Sequence, residues 1–435
     1  MTIKHRVLRR GACAILATTT LGIALVSACS SSDDTSVSGG SGGSAGIGAS
    51  AGKGGANGTA GSTGGTSTAG SSAGGTVSSS GAGGRSSVAG NAGEAGMVGE
   101  GGAAGATPTS IQQNVTMTLL TSDQAGAANT DANLVNGWGL AINPNAAGGP
   151  LFWVSSGGKG VSVVLDPAGQ PQSLVVTIPP TTAGGTGEPS GQVYNASATD
   201  FKGDVFIFAT EDGLICGWQS GTSAVTRVNH ADTAGYKGLA LVTNGATPSL
   251  VAANFHAGTV DVFDTSYAAA VDTTLFTDPN LPAGFAPFNV AELGGKVYVT
   301  YAKQDAEKGD DVKGVGNGYV DVFGVDGTLG SRLISQGSLN SPWGLALAPD
   351  AWGALSNALL VGNFGDGLIH AYDASTGEPL GELTASAGAP ISIDGLWALS
   401  FGPNSPSANL SAQLFFTSGP AMEMHGQFGK LTLAQ

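Results

Sequence analysis

Along the chain, apolar residues come in short runs separated by turns of Gly, Asn, Asp and Ser, and the stretch from Pro342 to Gly377 shows the unit most completely. An aromatic opens a small apolar run, Trp343-Gly344-Leu345-Ala346-Leu347, and a second run, Leu359-Leu360-Val361, ends in the polar turn Gly362-Asn363-Phe364-Gly365-Asp366-Gly367. The return run Leu368-Ile369-His370-Ala371-Tyr372 closes at Asp373-Ala374-Ser375-Thr376-Gly377. Runs this short, bounded by turn formers, predict antiparallel strands rather than helices. The same order recurs at roughly fifty-residue intervals, the length of a propeller blade.

The recurrence predicts an all-β, six-bladed β-propeller over 108–435. Blade one opens at Trp138-Gly139-Leu140-Ala141-Ile142 and continues through Leu151–Val154 and Val161–Leu165. Blade two diverges at its start, but Val205–Ala209 and Gly213–Trp218 match second and third strands. Blades three to six open at Lys237, Phe288, Trp343 and Trp397, which are 51, 55 and 54 residues apart, while Trp138 to Lys237 is 99, two blades. The early run Val115–Leu120 and the late run Gly429–Leu433 are expected to share one blade, because an open ring leaves hydrogen-bonding edges exposed.

The first hundred residues read differently. Lys4, Arg6, Arg9 and Arg10 precede an apolar segment, Gly11–Ala24, which is too short and interrupted for a membrane span but suits a secretory signal. Val26-Ser27-Ala28-Cys29 matches a lipobox, predicting a lipoprotein signal peptide over 1–28 and lipidation of Cys29. Ser30 follows, where Asp would favour retention at the inner membrane, so the expectation is an exported protein lipid-anchored to the outer membrane, on its periplasmic side or at the cell surface. Residues 29–107 are Gly, Ser, Ala and Thr with few large apolar groups, and cannot bury enough surface to offset the entropy of ordering them. A flexible linker of about 78 residues has an end-to-end distance of roughly 50 Å. The string Gly39-Gly40-Ser41-Gly42-Gly43 fits a hydrolase nucleophile pattern, but it lies in this linker with no strand before it and no helix after it.

Of three cysteines, Cys13 falls in the signal, Cys29 is the lipid site, and Cys216 sits in the apolar run Leu214-Ile215-Cys216 as a small buried filler. No disulfide is available to the exported domain, so its core must hold unaided. Without the signal, 12 basic residues face 31 acidic ones, a net charge of −19. That balance argues against nucleic acid and anionic membrane surfaces and favours solubility and cations.

Several long phrases carry a resemblance. Asp131-Ala132-Asn133-Leu134-Val135-Asn136-Gly137-Trp138-Gly139, Phe208-Ala209-Thr210-Glu211-Asp212-Gly213, the run from Ala253-Asn254-Phe255-His256 to Val262-Phe263-Asp264, and Val299-Thr300-Tyr301-Ala302-Lys303-Gln304-Asp305 resemble an uncharacterised bacterial secreted β-propeller family. Some members of that family carry PEP-CTERM sorting tails. The resemblance covers 113–435 and brings no established activity. This chain departs from it by ending at Lys430-Leu431-Thr432-Leu433-Ala434-Gln435, and the lipobox is expected to take over anchoring. More remotely, the blades resemble NHL-type repeats and the calcium-dependent phosphotriesterase and gluconolactonase propellers.

In a propeller, the loops leading into the innermost strands and those joining second and third strands gather on one axial face. This places Asn136, Trp138, Lys237, Asn289, Lys303, Trp343, Asp366, Trp397 and Glu423 on a ligand-binding face. The ordinary reading of Asn and Asp in Gly-flanked turns is backbone support, and that of the indoles is packing between blades. His256 and His425 are the candidate catalytic bases, since neither lies in an apolar strand. Glu211, Asn254, Asn363 and Asp394 are the candidate axial metal ligands. Asp305, Glu307, Asp310 and Asp311, four carboxylates within seven residues, form a candidate calcium loop, although its spacing is not that of an EF-hand and three lysines accompany it.

No cofactor motif is evident beyond these sites for Ca²⁺ or another divalent cation. The expected partner, besides the lipid anchor, is a small molecule, glycan or envelope protein, with the chain a monomer. Two functions follow: a tethered, non-catalytic binding propeller, or alternatively a divalent-metal-dependent hydrolase of lactonase or phosphotriesterase type with its ion on the axis.

Overall fold

The computed structural model describes residues 110–405 and 407–434; the expected signal peptide, the expected lipidation site Cys29 and the expected linker lie outside the described residues. Strands β1 (Ile111–Ser122) and β2 (Asn129–Thr130) lead into successive antiparallel meanders. The first comprises β3 (Gly137–Asn143), β4 (Leu151–Ser156), β5 (Val161–Leu165) and β6 (Pro171–Thr177). The next holds β7 (Pro189–Tyr194), β8 (Phe206–Thr210), β9 (Leu214–Trp218) and β10 (Val225–Asn229). The third has three paired strands, β11 (Tyr236–Asn244), β12 (Thr247–Asn254) and β13 (Thr259–Phe263). The fourth is β14 (Phe285–Leu293), β15 (Lys296–Lys303), β16 (Gly318–Gly324) and β17 (Leu329–Ser335). Then come β18 (Pro342–Leu347), β19 (Ala358–Asn363), β20 (Ile369–Asp373) and β21 (Pro379–Thr384). The chain ends with β22 (Leu396–Phe401), the short pair β23 (Asn404–Ser405) and β24 (Ala408–Asn409), then β25 (Leu414–Ser418) and β26 (Gln427–Leu433).

The architecture is a β-propeller. Its first strands touch in a closed cycle, β3, β7, β11, β14, β18, β22 and back to β3. Apolar side chains fill each gap between neighbouring sheets. Trp153 and Val164 meet Phe206 and Cys216, for example, and Phe152 and Leu165 meet Phe415 and Phe428. Cys216 is fully buried there, and burial pushes its thiol up to about 12, consistent with an inert packing role.

β1 closes the ring. Val115–Ser122 pairs antiparallel with β26, Val115 opposite Leu433 and Leu119 opposite Gly429, while Ile111–Asn114 pairs parallel with β21. The outer edge of the last sheet is thereby covered by the start of the domain, which ties two meanders into one sheet.

The small residue after the opening aromatic has a steric reason. A Cβ on Gly191 would stand 2.6 Å from the Leu239 nitrogen, and one on Gly344 would stand 2.7 Å from the Trp397 carbonyl oxygen. First strands of adjacent sheets thus approach backbone to backbone, which glycine allows. At the equivalent place in β14 stands Asn289, whose Nδ2 donates to the Trp343 carbonyl at 2.7 Å and so bridges to the next strand. The divergent start of the second meander is now explained: Pro189-Ser190-Gly191-Gln192 keeps the glycine but has no aromatic.

Candidate ligand-binding face

The first strands enclose an axial cavity of about 350 Å³, lined by Leu140, Val193, Leu241, Val290, Leu345 and Leu399 among others, and reached by Trp343. A buried aromatic cluster also lies on the axis: Trp138, Phe255, Phe288, Trp343, Phe364 and Trp397. Trp138 stacks on Trp397 at 3.9 Å, and Phe364 stacks on the opposite side of Trp397, also at 3.9 Å. The opening Trp residues supply two of these rings. Phe364, like Phe255, comes from an Asn-Phe pair at the end of a second strand.

Two ammonium groups flank the stack. The Lys237 Nζ lies 5.3 Å from the Trp138 ring centre and 5.8 Å from that of Phe255; the Lys313 Nζ lies 3.9 Å from that of Phe364. Lysine ammonium over an aromatic face is attracted by the ring quadrupole. Lys237 is 4 % exposed and pairs with Glu211, and its ammonium lies 3.6 Å from Asp310. Burial alone would lower its pKa, but Glu211 and Asp310, with Glu423 beyond them, outweigh that and hold it above the ordinary lysine range.

Glu423 completes the cluster. Asn136 Nδ2 donates to its Oε2 at 2.9 Å, and the Trp397 indole N–H donates to Asn136 Oδ1 at 2.9 Å. Burial, reinforced by the charge of Glu211 and partly offset by Lys237, pushes Glu423 up to about 7. The segment that carries it is strained: Ala421, Met422 and Glu423 all have left-handed backbone angles, φ 56°, 57° and 65°. Asn136 and Ser341, each just before an opening Trp motif, share that conformation. Non-glycine residues there cost of order 1–3 kcal/mol each, a feature concentrated at functional sites.

The loop between β15 and β16 folds onto this face. Gln304 Nε2 donates to the Phe255 carbonyl and the Gly314 N–H donates to Asn340 Oδ1 at 2.6 Å. Asp311 has a buried Oδ2 with no hydrogen-bond partner, and burial raises its pKa. Ser341 lies beside it, fully buried; its hydroxyl partly offsets that rise but has no hydrogen bond of ordinary geometry among the described residues. The indole nitrogens of Trp138 and Trp343 are buried without partners as well.

The face therefore brings together Asn136, Trp138, Lys237, Trp343, Trp397, Glu211 and Glu423. Asn289 serves the ring instead, Lys303 is exposed at the end of β15, and Asp366 accepts from Asn340 Nδ2 and from the Leu368 N–H. The side chains of the candidate bases bond elsewhere. His256 is exposed and contacts the Lys308 carbonyl, whereas His425 Nδ1 lies 2.8 Å from Asp123 Oδ2.

Each of the four expected axial metal donors has another partner. The Asn254 oxygen accepts from the Gly235 and Ala257 N–H groups, and its amide donates to Asp261. The Asn363 oxygen accepts from the Asn340 N–H, and its amide donates to the Ser338 carbonyl. Glu211 faces Lys237, and Asp394 is exposed and accepts from the Ala421 N–H. In the expected calcium loop the carboxylates diverge: Asp305 accepts from the Gly309 N–H, Glu307 is exposed, Asp310 turns to Lys237 and Asp311 inward. Among the described residues, no group of three or more His, Cys, Asp or Glu is placed to hold a metal ion. Sequence reasoning missed Phe255, Phe364, Lys313 and Ser341, although the repeated Asn-Phe pair signalled the first two.

No family model matches the chain. An uncharacterized protein of Acanthamoeba polyphaga mimivirus is 29% identical over 322 residues, covering 70% of this chain and 76% of the relative. A second from the same virus is 31% identical over 205 residues, covering 46% and 52%, so the chain spans about half of its length. These relatives are viral, and the bacterial family and its sorting tail find no support in them. Among solved structures, a streptogramin B lyase (TM-score 0.44, 11% identity) covers 74% of this chain and 98% of its own. A glucose dehydrogenase (0.46, 13%) covers 73% and 100%, and a gluconolactonase from Xanthomonas campestris (0.36, 14%) covers 57% and 91%. Likeness at this level says nothing about activity.

Proposed function

We propose that this chain is a tethered, non-catalytic binding propeller whose axial loop face recognises a ligand. The observation that carries the reading is the convergence of Glu211, Lys237, Asp310, Asp311 and Glu423 over a floor of stacked aromatic rings. Charge and ring faces supplied by separate loops are what a ligand site needs, and the ring's packing alone does not call for them. We read the ring as six-bladed, supported by the cycle of first strands and by the spacing of the opening motifs. The side chains of the candidate hydrolase bases bond elsewhere and two of the axial metal donors serve turns, so binding is the better-supported of the two functions.

The test is a tryptophan-fluorescence titration of the purified full chain with sugars, amines and carboxylates, since Trp138, Trp343 and Trp397 report on the face. A saturable change that Glu423→Gln alters is the expected result. Absence of any saturable ligand would count against binding, and turnover abolished by Glu423→Gln would overturn the non-catalytic reading.

Export and lipidation at Cys29 belong to the same proposal, with the linker over 29–107 as the tether to the outer membrane. Expressed in a Gram-negative host with its own N-terminus, the chain should be recovered from membranes with an acylated Cys29. An unmodified, membrane-free protein would refute this.

A further inference from the structure

Lys313, Phe364, Trp397, Trp138 and Lys237 form one column, an ammonium at each end of a three-ring stack. The ends are not alike. Lys237 is buried and paired with Glu211, so its position is fixed by the fold. Lys313 rises from the exposed part of the β15–β16 loop and, among the described residues, has no hydrogen bond or salt bridge, so there the Phe364 face and the field of Asp311 hold it. Beside it the Asp311 carboxylate and the fully buried Ser341 hydroxyl face each other, and among the described residues neither the Asp311 Oδ2 nor that hydroxyl has a hydrogen bond of ordinary geometry.

We propose that the axial face binds an organic ammonium group, a protonated primary amine, in the place now held by the Lys313 side chain. The inference rests on the reading of this face as the recognition surface and names its ligand class. Its chemistry follows from what the site offers. An aromatic face attracts a cation through its ring quadrupole, and the Asp311 carboxylate oxygen and Ser341 hydroxyl, neither of which has a well-formed hydrogen bond among the described residues, can accept the N–H donors an ammonium carries, which number three. A divalent metal is a poor match, because Ca²⁺ wants six to eight oxygens and the carboxylates here diverge. Lys313 then acts as an internal stand-in. Being exposed and flexible, it swings out to water without unfolding the loop, whose anchors are Gln304, Asp305 and Gly314.

The test is calorimetric titration of the full chain with n-butylammonium chloride, with n-butanol as the uncharged control at matched ionic strength. Lys313→Gln removes the internal competitor and should tighten butylammonium binding by about tenfold, the range of one cation–π contact, with butanol unaffected. Adding Asp311→Asn to that variant should abolish the gain, and circular dichroism confirms that both variants fold. Equal affinity in the parent and Lys313→Gln, or equal binding of butanol, would overturn the ammonium inference. If butylammonium fails while a sugar or carboxylate binds in a Glu423-dependent way, the binding reading survives and only the ligand class falls; if nothing binds, both fall.

Discussion

Replacing Glu423 by glutamine isolates the electrostatic cost of holding a carboxyl group among other carboxylates. The amide keeps the shape and can still accept from Asn136 Nδ2, so packing changes little. In the folded protein Glu423 titrates near 7, against 4.5 for an unperturbed glutamate. Between those values the native state holds a proton that the unfolded state has released, so stability falls as pH rises through the window and levels off above it. Each unit is worth about 1.4 kcal/mol, which over the window sets an upper limit of about 3 kcal/mol, reduced by the partial solvent access of the site. Glutamine has no such proton. The stability of the variant relative to the parent should therefore climb from pH 4.5 to 7 and stay constant beyond. Urea unfolding at half-unit pH steps measures this directly. Parallel pH profiles for parent and variant, or a variant that loses ground as pH rises, would refute the argument and mean that Lys237 fully compensates the Glu423 charge.

The same sign applies to Asp321, fully buried near Tyr301 and Asp278 and pushed up to about 7 by burial and by Asp278. Asp321→Asn should gain stability over the parent between pH 4 and 7, read by urea midpoints; a loss at every pH would show that the charged form is held by Arg332, 3.8 Å away. Gly191→Ala pushes a methyl group against the Leu239 backbone and should cost about 2 kcal/mol, and a shift under about 0.5 kcal/mol would mean that the neighbouring strand yields freely. Lys237→Met leaves Glu211 and Glu423 without their cation and should cost about 3–5 kcal/mol, with part recovered in the Lys237→Met, Glu211→Gln double variant; additive losses would show that the two side chains do not interact.

Local pattern carried most of the architecture into the sequence. A short run of apolar residues, a glycine after the opening aromatic and Asn or Asp in a tight turn are choices each segment makes within a few residues, and they repeat from Trp138 to Trp397 because every blade solves the same packing problem. Closure was legible too, since Val115–Leu120 and Gly429–Leu433 were unpaired strand patterns at opposite ends of one domain. The start of the second meander escaped notice because Pro189-Ser190-Gly191-Gln192 keeps only the steric requirement, the glycine, without the aromatic.

The candidate site divides along the same line. Sequence placed Asn136, Lys237, Glu211 and Glu423 on one face because strand order alone sends their loops there. It could not tell which turn residues face the axis: Asn254 and Asn363 look like ligands in sequence, yet their amides serve neighbouring backbone groups. The densest charge cluster looked like a self-contained calcium loop. Tertiary structure instead divides it, turning Asp310 to Lys237, Asp311 toward Ser341 and Lys313 onto Phe364. Backbone geometry is fixed by near neighbours, whereas the pairing of Asn136 with Glu423 joins residues 287 positions apart and exists only once the ring has closed.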